Sequence, residues 1–284
     1  VAEPSADLPR ESPRTILFQF VFFPLGIVCV AVAVFLLFGK LASDEQSIPD
    51  YLNQIRSGSQ HERWQAAYQL SKSLKRGEAK RYPNLEQQVA SIYTGSKNDD
   101  PRIRRYLSMV LGTLGDRRAT PVLIDGSRDA DPENRIYAAL ALGELRDPAA
   151  IPRLAELAKE EDDDVRKTAV FALGETGDVR AVPPLGDAIA DPRPDVRWNA
   201  AVALSRFDDP RAVAPLREML TRERLAQLPT MREDQKEDAM IVAMQPYKRL
   251  GGAEATQLLT QIANGDPSLR VRAAAKQALG GGGV

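Results

Sequence analysis

This 284-residue chain has one histidine, His61, and one cysteine, Cys29, for imidazole and thiolate chemistry. A lone imidazole cannot form a histidine pair around a metal. Cys29 lies inside an apolar run, far from His61, which removes a Cys–His nucleophile, and a single cysteine allows no intramolecular disulfide. No glycine loop fit to cradle phosphate occurs: Gly251-Gly252 reads as a turn and residues 280–283 as a frayed tail. The acidic run 160–164 lacks the spaced oxygen cage and glycine turn of a calcium site and reads as a solvated loop and helix N-cap. These residues predict no catalytic, cofactor-binding or metal-binding set, and a chain that is not an enzyme.

What does recur is charge at a fixed interval. Arg104, Arg135, Arg166 and Arg197 step by 31 residues, and so do Asp125, Glu156, Asp187 and Glu218. Guanidinium and carboxylate columns of this kind either hold the array together or present charge to a partner. With a net charge of −1 and 27% charged residues, composition gives no push toward nucleic acid.

The elements that must position these columns share the same period. Gly112, Gly143, Gly174 and Ser205 keep step, as do Asp116, Asp147, Asp178 and Asp209 and the leucines 123, 154, 185 and 216. Each unit reads as two helices. In 131–143 an Asp-Pro start supplies an N-cap and a first-turn proline, small and apolar residues follow at helical spacing, and Gly143 is placed to end the helix in a left-handed conformation. Asp147-Pro148 then opens a second helix, with Ile151, Leu154 and Leu157 toward the core and Pro152 within about its first turn. Partial copies lie at Arg63 and Arg272. About ten surplus residues fall around 75–82, and a charged stretch, 222–238, precedes a degenerate pair at 239–250 and 253–263. That stretch is either a mobile loop or a partner contact.

The columns Asp-Pro-x-x-Arg-x-x-Ala-x-x-Ala-Leu-Gly-x-Leu-x-Asp-Pro-x-Ala-x-Pro-x-Leu resemble HEAT repeats, and the period is similar to the short variety named after phycobilin lyases. The resemblance covers residues 50–280 and implies an all-α, right-handed solenoid of helix pairs, serving as adaptor, scaffold or, in a few cases, chromophore lyase. It also implies that second helices line a concave surface. Asp125, Glu156, Asp187 and Glu218, two residues after each core leucine, would then form a carboxylate ladder along that groove. The ladder is either a docking strip for a basic segment or polar helix, or is paired internally with Arg128, Arg153, Lys159 or the arginine column. The arginine column reads as structural, bridging carboxylates or carbonyls of neighbouring units.

Residues 16–38 form an apolar run of 23 residues without formal charge, and at about 1.5 Å rise each they suffice for a hydrocarbon layer of about 30 Å. The run exceeds a signal-peptide core, and Gly39-Lys40-Leu41-Ala42 offers no good cleavage site. We therefore expect a tail at 1–14, a single transmembrane helix at 15–40, a linker at 41–49, the solenoid at 50–280 and a flexible tail at 281–284. Pro24 should bend the membrane helix or open a local polar spot; a bend next to Gly26 could serve a helix partner, the alternative being a proline that the membrane helix simply tolerates. Arg10 and Arg14 before the run, against Lys40 after it, slightly favour an N-terminus inside a cytoplasmic (inner) membrane and repeats outside. The expected role is a non-catalytic, membrane-anchored interaction scaffold, an accessory subunit touching lipid and a multi-span membrane protein. The alternatives are a free-standing adaptor recruiting soluble partners through the groove, or a tetrapyrrole or bilin lyase-like protein, against which one histidine and no cysteine in the repeats argue.

Overall fold

The computed structural model describes residues 22–42, 47–75, 81–82 and 84–280. They fall into two compact units, Val1–Ser47 and Ile48–Val284. The tails at 1–14 and 281–284, the start of the apolar run, residues 43–46 of the linker and the surplus residues 76–80 lie outside the described residues.

The first unit contributes α1 (Phe23–Ala42). Phe22, just ahead of it, is π-helical. Gly26 has open space where a Cβ would stand. No helix among the described residues is long and apolar enough to cross a membrane. The span expected over 15–40 is therefore not found there: of its apolar run, only 22–38 is described.

The second unit is an all-α solenoid. It begins with α2 (Ile48–Ser57), which packs on α3 (Gln60–Ser73). Helix pairs follow: α3 with α4 (Leu85–Gly95), α5 (Pro101–Leu114) with α6 (Thr120–Gly126), α7 (Pro132–Leu145) with α8 (Ile151–Leu157), α9 (Asp163–Thr176) with α10 (Val182–Ala188), and α11 (Pro194–Ser205) with α12 (Val213–Met219). After the short α13 (Arg222–Ala226) come α14 (Glu233–Leu250), α15 (Gly252–Gly265) and α16 (Leu269–Gly280). The long helices α3, α5, α7, α9 and α11 stack each on the next, and the short ones pack beneath them.

Aspartates start three of the long helices and all four 3₁₀ turns of the central repeats. Asp100, Asp131 and Asp162 cap the long helices by accepting from backbone N–H groups two residues on. Asp116, Asp147, Asp178 and Asp209 do the same for a single 3₁₀ turn, so Asp147-Pro148 opens that turn and the second helix starts only at Ile151. Pro121, Pro152 and Pro183 then occupy the second helical position, where the missing N–H has no intrahelical partner to lose.

The glycine column does a different job from the one its position suggests. Gly143 lies inside α7, and the left-handed residues come three positions later, at Gly115, Arg146, Gly177 and Asp208. A Cβ on Gly143 would stand 2.9 Å from Ala172 Cα, and one on Gly174 2.7 Å from Ala203 Cβ. Glycine facing alanine lets successive long helices approach backbone to backbone. The charged stretch 222–238 is also mostly helical: Leu225 is buried, and Arg222 forms a two-pronged pair with the buried Asp266, both bonds 2.7 Å.

Candidate functional site

Each short helix turns its leucine, 123, 154, 185 or 216, fully into the core. Two residues on, at about 100° per residue, the side chain points away from that core. Asp125, Glu156 and Asp187 are accordingly exposed and Glu218 is half-buried. Between successive short helices lie open hollows. One of about 560 Å³ is walled by Lys159, Glu160, Pro184, Asp187 and Asp191. Another, of about 750 Å³, is walled by Arg217, Glu218, Arg224 and Glu254.

The carboxylates differ in their partners. Glu156 accepts from Arg153 at 2.7 Å, and that guanidinium holds its carboxyl below the ordinary glutamate value. Asp187 meets Lys159 at 3.2 Å with both side chains two-thirds exposed, and Glu218 meets Arg197 at 2.7 Å. Among the described residues, Asp125 forms no ion pair, unlike the other three. Pairs as exposed as Asp187–Lys159 contribute little and exchange readily. Charge that an incoming cation could use therefore remains at Asp125, Glu156 and Asp187.

The arginine column is inside the structure. Arg135, Arg166 and Arg197 each donate Nη1 to the two carbonyl oxygens five and six residues earlier, at 2.8–3.0 Å. Each also reaches a carboxylate: Arg135 to Glu160, Arg166 to Asp191, Arg197 to Glu218. Arg104 pairs with Asp129 and lies over the Tyr93 ring at 4.6 Å. The column thus clamps the loop before its own helix to the end of the short helix that follows. His61 lies in the first turn of α3, edge-on to Trp64. Within 160–164, Asp162 caps α9, Glu160 pairs with Arg135, and Asp163 with Arg166. No group of three or more potential metal ligands occurs among the described residues.

One feature escaped the sequence reading. Met109, Leu140, Phe171 and Val202 also step by 31 residues, on the side of the long helices away from the short ones. Met109 and Phe171 are 41% and 47% exposed. This apolar column runs into a cleft of about 420 Å³ between α9, α11 and α14. Its signal was available: a sixth column in phase, apolar but outside the core spacing.

This geometry is that of a known repeat class. The HEAT-repeat family profile matches residues 95–170 and 154–228. Among solved structures, the chain is similar to the complex of CpcE and CpcF of phycocyanin lyase from Nostoc sp. PCC7120, at 20% identity and TM-score 0.54, covering 84% of this chain and 88% of that one. At that identity the likeness shows the fold alone. A designed armadillo repeat protein in complex with the peptide (KR)4 matches at 16% identity and TM-score 0.44, covering 82% of this chain and 98% of that one. Human deoxyhypusine hydroxylase in complex with glycerol matches at 17% identity and TM-score 0.34, covering 81% and 93%. No curated protein matches the sequence.

Proposed function

We propose that the chain is a non-catalytic protein-interaction scaffold, held at a membrane by its apolar N-terminal segment and working as an accessory subunit of a larger membrane complex. The observation that carries the scaffold reading is the repetition of one exposed carboxylate per unit, at Asp125, Glu156 and Asp187, along hollows between the short helices. A partner segment with cations at matching intervals would gain one contact per repeat. The tether reading rests on the charge-free run 16–38 and on the exposure of the large apolar side chains of α1 from Phe23 to Phe35. Anchoring raises the effective concentration of the array at the membrane, so modest contacts suffice. The inner-membrane location, with the N-terminus inside, belongs to the same proposal.

Gentle detergent extraction followed by capture and identification of co-purifying chains tests it. A stoichiometric multi-span partner, lost on combined Glu156→Lys and Asp187→Lys with the array still folded, is the expected result. Recovery of the chain alone would overturn the subunit reading, and unchanged capture by the variant would overturn the groove. Replacing the N-terminal helix by an unrelated membrane helix separates a simple tether from a helix that itself packs on the partner. The free-standing adaptor predicts full activity after that swap. The lyase-like alternative has only a fold likeness behind it, and fold does not carry function.

A further inference from the structure

The long helices stack closely as far as α11 and then part. Ser205 replaces the glycine of the column, and α13 with the loop after it stands between α12 and α14. α14 packs on α12, α15 and α16 and touches α11 much less than α9 does. The opening is the 420 Å³ cleft, with Phe171, Trp198, Val202 and Val242 among its walls and Asp195 and Asp238 on its rim. Phe171 and Val242 are about half exposed, and the indole N–H of the buried Trp198 has no hydrogen-bond partner.

The array contains its own template for what covers such a surface. Arg63-Trp64 matches Arg197-Trp198 position by position. At Trp64 the next long helix, α5, lays the Arg102 guanidinium over the indole, 4.1 Å from its centroid. At Trp198 the next long helix is set back, and it brings Asp238, Ala239 and Val242 to the cleft instead of a cation. The two cations on the lining are already engaged, Lys167 with Asp164 and Arg206 with Glu175. Asp195 and Asp238 have exposed partners, Arg193 at 3.4 Å and Arg270 at 2.6 Å, which an incoming cation can displace.

We propose that this cleft is a second docking site, on the long-helix side, for an amphipathic helical segment of a protein partner that buries a large apolar side chain against Phe171 and Val242 and sets an arginine beside Asp195 and Asp238. It is independent of the carboxylate ladder, since none of Asp125, Glu156, Asp187 and Glu218 lines it.

The chain has two tryptophans, so Trp64→Phe leaves Trp198 as the sole reporter. Two synthetic helical peptides of roughly 14 residues, about 21 Å long, serve as probes. Both carry two leucines one turn apart, flanked in one by arginine and in the other by glutamate. The arginine probe is expected to shift Trp198 emission saturably, with half-saturation below about 0.1 mM, and the glutamate probe to bind at least about ten-fold more weakly. Val242→Glu should abolish the shift, and Asp238→Lys should weaken it about five-fold or more. Phe171→Ser is the second wall variant should Val242→Glu lower the thermal midpoint. No saturable shift up to about 1 mM overturns the site. Equal binding of both probes overturns the occupant's chemistry. A concentration-dependent shift without any probe, lost in Val242→Glu, would assign the cleft to a second copy of this chain and overturn the proposal. Loss of the ladder's partner leaves all these outcomes unchanged, so the two readings fail separately.

Discussion

At Gly143 one added carbon decides whether two helices can touch. Gly143→Ala places a methyl 2.9 Å from Ala172 Cα, a backbone atom that cannot swing aside, and we expect a loss of about 1–3 kcal/mol. Gly95→Ala is the control: its Cβ meets nothing within 4 Å, and within a helix alanine is favoured by up to about 1 kcal/mol. Chemical denaturation of both variants should give opposite signs. Asn134 is the reverse case. It is 2% exposed in a column otherwise filled by Ile103, Val165 and Val196, and its side-chain oxygen has no hydrogen-bond partner. Asn134→Val should raise the unfolding midpoint, by about 1–2 kcal/mol in stability; an unchanged or lower midpoint would mean the amide is satisfied by water. The sequence made the glycine column visible but not its purpose, because a glycine near a helix end fits both a left-handed cap and a close approach. Only the facing alanines, 29 residues further on, distinguish the two, and that pairing is tertiary.

The element that repeats is a loop held by charge. Arg166 donates to the carbonyls of Glu160 and Glu161 and pairs with Asp163 and Asp191. Arg166→Ala should cost about 2–3 kcal/mol, and Arg166→Lys should recover only part of it, because a lysine cannot span carbonyls and carboxylate at once. Hydrogen exchange should show the loss centred on 158–166. The turn caps add a pH dependence. Arg118, Arg180 and Arg211 donate to Asp116, Asp178 and Asp209, holding those carboxyls below the ordinary range, Asp178 at about 2. A depressed folded value means the stabilisation is present above the unfolded value of about 4 and is lost as pH falls through the folded one. Urea midpoints should therefore fall between about pH 4 and about pH 2, and Asp178→Asn should flatten that fall. The two-helix unit, its Asp-Pro start and the structural bias of the arginines were legible from spacing alone. The 3₁₀ turn was not, because Asp-Pro caps a single turn as well as a helix, and the register slips only after the first three residues.

For the whole molecule, the period showed repeated helix pairs and the resemblance to HEAT repeats implied the solenoid, in which each unit has an apolar face that only a neighbour can bury. The charged stretch 222–238 was harder to read. Its burial depends on Leu225 and on Arg222 finding Asp266, 44 residues away, a contact that no local pattern announces. The apolar column on the long-helix side went unread for a related reason: periodicity identifies a face without saying whether anything covers it. The wider gap between α11 and α14 carries a mechanical consequence. In a chain of nearest-neighbour contacts, pulling force is borne in series, and the thinnest junction yields first. Drawn from its two ends, this array should part between Ser205 and Glu233, extending as a block of stacked repeats and a shorter C-terminal block before either unravels.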